Sequence, residues 1–274
     1  MGRYMKYELK GNYKFILGVL ALVLILTTGI YVYIANANES SVLGVIFMGL
    51  SVLVIFGTLL ITFLYIIGSF RKELYEDRGY LTFTLPLTGN QILGSKLIVA
   101  IIWFAILGLV IGLYNAFMTF IFAPIKPAIS DIIAIINGIP IREVSVFLLI
   151  VFIGGVSTLI LIYFSMALSR VTFRNKRIGG FWFVIFLIVS GLVAMGQAKI
   201  IQALPYYLDL ETFRIISNDM LNYDFHIEMS SAGLMASGNM GNAMLNIAGF
   251  IYSIAVGVIF FLGTGYIIEN KIDL

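Results

Sequence analysis

The sequence predicts an all-α, polytopic membrane protein with six transmembrane helices, and three observations lead there. The residues are 61% hydrophobic and 11% charged, with a mean hydropathy of +1.04, whereas a soluble domain carries roughly 25% charged residues. Six stretches are apolar over the length of about 20 residues that a helix needs to cross a bilayer. Lysine and arginine fall between those stretches in alternation. The spans take up most of the 274 residues, so one transmembrane domain over 1–274 is expected, with no room for a separate soluble domain.

The chain opens with a polar lead-in, residues 1–14. Tyr4, Met5, Glu8 and Leu9 stand at helical spacing there, with lysines elsewhere. That pattern predicts an amphipathic helix lying on the inner membrane surface. The first span is 15–35. Its apolar core of about 20 residues exceeds the 7 to 15 typical of a cleavable signal, so a retained span is expected despite Ala35-Asn36-Ala37. A short turn at 36–41 leads to the second span, 42–70, and a charged segment, 71–96, separates it from the third, 97–123. The connection 124–142 holds Pro124, Pro127 and Pro140 around an apolar run, long enough for one interfacial helical piece. The fourth and fifth spans are 144–168 and 178–197. The largest region between spans, 199–242, has five acids, the single histidine His226 and a glycine- and serine-rich stretch. It is expected to form either a small cap of helices or a flexible connector. The sixth span, 243–268, precedes a short charged tail.

Basic residues near span ends are retained on the cytoplasmic side. With the N-terminus inside, thirteen lysines and arginines lie on the cytoplasmic side and four, Lys126, Arg142, Lys199 and Arg214, lie outside. Both termini are therefore expected to be cytoplasmic, with 124–142 and 199–242 as external loops. The formal charge of +3 reads as a topology signal, and no nucleic-acid partner is expected.

Several chemistries find no support in the residues. The chain has no cysteine, which removes disulfides, thiolate metal sites and cysteine nucleophiles. A lone histidine cannot build an HExxH zinc helix. No charged residue falls near the middle of the six spans, where ion-driven carriers keep such groups. Gly89 to Lys96 looks like a phosphate loop at a glance, but its lysine does not directly follow the second glycine and no strand precedes it. No catalytic residue, cofactor site or metal site is expected, and any ATP hydrolysis belongs to another chain. Gly108 and Gly112 form a GxxxG pair, which in a chain with 27 glycines is a chance match more readily than a dimer face.

The segment 71–96, RKELYEDRGYLTFTLPLTGNQILGSK, is where the sequence is most specific. Residues 69–78 continue the second span as helix, with Glu73 and Asp77 near Arg78, and Gly79 offers a stop. Leu81, Phe83, Leu85 and Leu87 then alternate with Thr82, Thr84 and Pro86 in an extended passage, before Thr88 or Asn90 caps the third span. A short helix followed by a stiff turn makes a good mechanical contact.

Gly79-Tyr80-Leu81-Thr82, Thr84-Leu85-Pro86 and Gln91 to Leu97 resemble the loop between the second and third spans of type-2 ATP-binding cassette (ABC) permeases. The layout is similar along the whole chain. The resemblance implies the membrane-spanning subunit of an ATP-driven exporter, multi-pass in a bacterial cytoplasmic (plasma) membrane. Its coupling loop, 71–90, would contact a cytosolic ABC ATPase subunit through Arg71, Lys72, Glu73, Tyr75, Glu76, Asp77, Arg78, Tyr80, Leu81, Leu85 and Pro86. A second permease chain, the same or paralogous, would complete the passage, with the lead-in as an interface helix beside the loop and membrane lipids around the assembly. The alternative is a non-transporting immunity or sensor-scaffold protein whose loop only recruits a partner.

Overall fold

The computed structural model describes residues 1–36, 41–76, 86–122, 141–172, 180–210, 212–217, 226–230, 233–237 and 243–271. Among the described residues, six helices occur in chain order: α1 (Gly2–Asn36), α2 (Ser41–Tyr75), α3 (Gly89–Phe122), α4 (Ile141–Thr172), α5 (Trp182–Ala203) and α6 (Ile247–Asn270). All six are long and apolar enough to cross a membrane. Their mid-helix surfaces keep large apolar side chains exposed, including Phe56, Leu113 and Leu192, which water would penalise and lipid does not. The chain is a multi-pass membrane protein.

The all-α expectation fails between α5 and α6. The strands β1 (Tyr206–Asp209), β2 (Ile215–Ser217), β3 (His226–Ser230), β4 (Gly233–Ser237) and β5 (Ala243–Asn246) form one antiparallel sheet in the order β2-β1-β5-β4-β3. Among the described residues of this region, neither a cap of helices nor a structureless connector is found. The cause is local: Leu204 precedes Pro205, whose ring disfavours helical backbone in the residue before it. Leu204 accordingly leaves the helix at φ −129°, ψ 74°, and the chain continues extended into β1. The sixth span also starts later than its apolar run, because residues 243–246 are spent on β5.

By contacts the chain divides into two compact units. The first comprises Met1–Phe70 and Gly94–Asn137. Here α1 runs from the lead-in through the first span as one continuous helix, so the lead-in is helical but is not a separate element. Glu8 pairs with Lys96, and further along Tyr31 meets Thr119 at 3.0 Å. Residue numbers rise together in the two helices, so α1 and α3 run parallel. Phe15 stacks on Tyr65 at 4.0 Å, and a core of Ile16, Val23, Val99, Trp103, Leu107 and Ile111 fills the space between α1 and α3. A Cβ placed at Gly108 or Gly112 would meet nothing within 4 Å, so among the described residues the GxxxG pair makes no close helix crossing.

The second unit comprises Arg71–Leu93 and Gly138–Leu274. Phe164 and Phe260 lie 4.6 Å apart, and α4 runs parallel to α6. The α5–α6 pair is antiparallel: the Tyr252 hydroxyl donates to the Val193 carbonyl at 3.3 Å and Gln197 Nε2 to the Gly249 carbonyl at 3.4 Å. Asn246 fastens this pair. Its Oδ1 accepts from the Gly249 N–H at 2.7 Å and caps α6, while its Nδ2 donates to the Leu204 carbonyl at 3.2 Å at the end of α5. An asparagine is well suited to this place because one amide offers both an acceptor and a donor.

Candidate functional site

The site with the most sequence-specific signal is the connection between α2 and α3. Its first foot is the last turn of α2, in which Arg71 and Lys72 are exposed and Glu73 is half-buried. The Glu76 N–H donates to the Lys72 carbonyl at 2.9 Å, so helical bonding carries on to an exposed Glu76. Asp77, Arg78, Tyr80, Leu81 and Leu85 lie outside the described residues. Pro86 is exposed and leads into the second foot, the start of α3.

Thr88 is the cap of α3. Its Oγ1 accepts from the Gln91 N–H at 3.3 Å, while Gln91 Oε1 accepts from the Thr88 N–H at 3.3 Å. This reciprocal pair is a capping box, in which threonine and glutamine three residues apart each satisfy a backbone donor that the helix start leaves unpaired. Of the two residues expected from the sequence, Thr88 fills the position and Asn90 belongs to the first turn.

Both feet are fixed to other helices of the second unit. At the first, Leu74 is buried, and the Tyr75 hydroxyl donates to the Met166 carbonyl of α4 at 3.1 Å. The Arg170 guanidinium sits 5.9 Å from the centre of the Tyr75 ring, within the range of a cation–π contact. At the second, the Gly89 N–H donates to Glu269 Oε2 of α6 at 3.2 Å. Gly89 also lies directly on Gly265: a Cβ on Gly89 would collide with the Gly265 carbonyl oxygen, and one on Gly265 would collide with the Asn90 side chain. Glycine is required at this crossing because the backbones themselves are in contact.

The loop thus stands on the C-terminal ends of α4 and α6. The sheet rests on their N-terminal ends, where Val146, Ile150 and Phe250 pack with Leu208, Leu210 and Leu245. From Ile150 to Met166 is about 24 Å of helix, and from Phe250 to Gly265 about 22 Å, at 1.5 Å per residue. Both lengths are close to the roughly 30 Å hydrocarbon thickness of a bilayer, and they set loop and sheet at opposite ends of α4 and α6.

The chemistry available at the loop is ionic and mechanical. Arg71, Lys72 and Glu76 present both charge signs to solvent, and Glu269 and Lys271 lie at the end of α6. Among the described residues no group of three or more histidines, aspartates or glutamates is placed to hold a metal. A cleft of about 290 Å³ opens half-way along α4 and α6, walled by Phe152, Val156, Ile160, Ile254, Val258 and Phe261. Its lining suits hydrocarbon and offers no charge to an ion.

Sequence reasoning chose the loop but missed its anchors. Met166, Arg170, Gly265 and Glu269 are distant in the chain from residues 75 and 89, and no local pattern marks them. No protein-family model matches the chain, and neither the curated proteins nor the solved structures include a match.

Proposed function

We propose that this chain is the membrane-spanning subunit of an ATP-driven exporter of the type-2 ABC kind. It forms a translocation passage with a second permease chain, the same or paralogous, in a bacterial cytoplasmic membrane. Both termini and the 71–90 loop face the cytoplasm, as the distribution of lysine and arginine favours. A separate cytosolic ATPase subunit docks on the loop through the charged turn Arg71 to Glu76 and the segment ending at Pro86. ATP hydrolysis takes place in that partner.

The observation that carries this reading is the double anchoring of the loop. A loop that only joins two spans needs no contact with other helices. Here one foot is hydrogen-bonded and ring-stacked to α4, and the other is seated on α6 by a glycine contact. A push on the loop is therefore delivered to α4 and α6 as a displacement of packed helices. Packed interfaces of this kind switch between discrete arrangements rather than deforming continuously. Nucleotide binding in the partner would bias the two arrangements.

The test is gentle purification of the complex from its native membrane, with identification of every chain present, followed by reversal of Glu73 and Glu76 to lysine. The expected result is a co-purifying ATPase whose cargo-stimulated turnover falls in the variant, while the amount of chain in the membrane is unchanged. Normal stimulation in the variant, or a complex with no ATPase, overturns the reading and favours a scaffold.

A further inference from the structure

We infer that the β1–β2 hairpin is a membrane-surface foot, inserted into the lipid interface on the face of the bilayer where the sheet lies. The inference rests on the sheet and the spans alone and is independent of the transport reading.

The register decides the geometry. Leu208 of β1 is paired with Ile215 of β2 on one side and with Leu245 of β5 on the other. Residues paired directly across strands share a face, and so does Tyr206, two positions before Leu208. One face of the sheet therefore carries Tyr206, Leu208, Ile215 and Leu245. Its inner part, Leu208 and Leu245, packs on Val146 and Ile150 of α4 and on Phe250 of α6. Tyr207, Ile216 and Met244 form a cluster of their own on the opposite face.

Because β2 is an edge strand, Ile215 lies one strand beyond the part seated on helix ends, on the same face. It is 66% exposed, and Tyr206 is 52% exposed. Only Leu204 and Pro205 separate Tyr206 from the end of α5, and Leu204 is itself exposed. A sheet face that sits on the ends of spanning helices and then overhangs them meets the bilayer around those helices. At that depth lipid accepts apolar side chains, and tyrosine favours the headgroup level. Arg214, exposed in the turn beside Ile215, suits the phosphates of the same interface.

The turn is built to hold this pose. The Asp209 N–H donates to the Arg214 carbonyl at 3.0 Å, the Phe213 N–H to the Asp209 carbonyl at 2.8 Å, and the Thr212 hydroxyl to Asp209 Oδ2 at 2.6 Å. Phe213 holds φ at +55°, a conformation uncommon outside glycine.

The natural chain contains no cysteine, so single labels are unambiguous. Ile215→Cys and, separately, Tyr206→Cys are spin-labelled in the full chain, in nanodiscs of phosphatidylethanolamine and phosphatidylglycerol. Collision rates with oxygen and with a water-soluble nickel complex are then measured. Leu192→Cys, exposed half-way along α5, gives the hydrocarbon reference, and Lys271→Cys, exposed beyond α6, gives the aqueous one. Both hairpin labels are expected to shift from the aqueous ratio toward the hydrocarbon ratio. An aqueous ratio at both positions overturns the inference, since the hairpin then faces water. Low collision rates with both reagents also overturn it, because a protein surface such as a second copy of the chain then covers the hairpin.

Discussion

Gly89 and Gly265 touch backbone to backbone, so the first residue of α3 rests on α6 with no side chain between them. The two positions are not equivalent. At Gly89 an added Cβ meets a carbonyl oxygen of α6, which cannot move without its helix. At Gly265 it meets chiefly the Asn90 side chain, which can rotate away.

Gly89→Ala is therefore expected to destabilise the chain by about 1–3 kcal/mol, the usual cost of forcing a methyl into a filled site. Gly265→Ala should cost less. In an isolated helix, alanine in place of glycine gains up to about 1 kcal/mol, so the predicted sign is opposite to that of propensity. Thermal unfolding of both variants in one detergent decides the order, and a more stable Gly89→Ala would show that the contact is absent.

Glu8 and Lys96 form an ion pair almost wholly removed from solvent, with side-chain exposures of 10% and 4%. Tyr4 and Asn12 also hydrogen-bond to Glu8, at 3.5 and 3.4 Å. Lys96→Met is expected to cost about 3–5 kcal/mol, because it removes the cation opposite a largely buried carboxylate. Adding Glu8→Gln to Lys96→Met should recover most of that loss. Unfolding measurements on the two single variants and the double variant provide the cycle, and simple additivity would argue against the pair.

Tyr207 of β1 supplies a pH dependence. Burial raises its hydroxyl above the ordinary value of 10.0, and a side-chain hydrogen bond with Asn246 partly offsets this. The folded state thus favours the neutral phenol more than the unfolded chain does. The stability this contributes is complete below pH 10.0 and is lost as pH rises through the higher folded value. Amide exchange in β1 and β5 should accelerate above about pH 10 in the natural chain. In Tyr207→Phe the same strands should show a flatter profile, and equal profiles would remove Tyr207 as the cause.

The helices were legible because lipid writes a long, one-signed signal: about 20 apolar residues in a row leave few alternatives. Thr88 was legible for the same reason of locality, since a capping box spans four residues. The sheet was not. Its strands are only three to five residues long, too short for alternation to stand out, and the pairing of β1 with β5 joins the two ends of the segment. One local clue was present: only two residues separate His226–Ser230 from Gly233–Ser237, the spacing of a tight hairpin. Of the candidate site, the loop was legible and its anchorage was not. Tyr75 with Met166 and Gly89 with Gly265 are products of tertiary packing, and Glu269 read as part of a charged tail.

The pairing of Tyr207 with Asn246 also has a consequence for biogenesis. When β1 leaves the ribosome it lacks its β5 partner, because β5 and the Asn246 cap are made only immediately before α6. Contacts between segments so distant in the chain are slow to close, so the sheet can be completed only after β5 has been synthesised. Truncation before residue 246 should therefore leave the preceding segment accessible to proteases, and its acquisition of resistance would time the completion of the sheet.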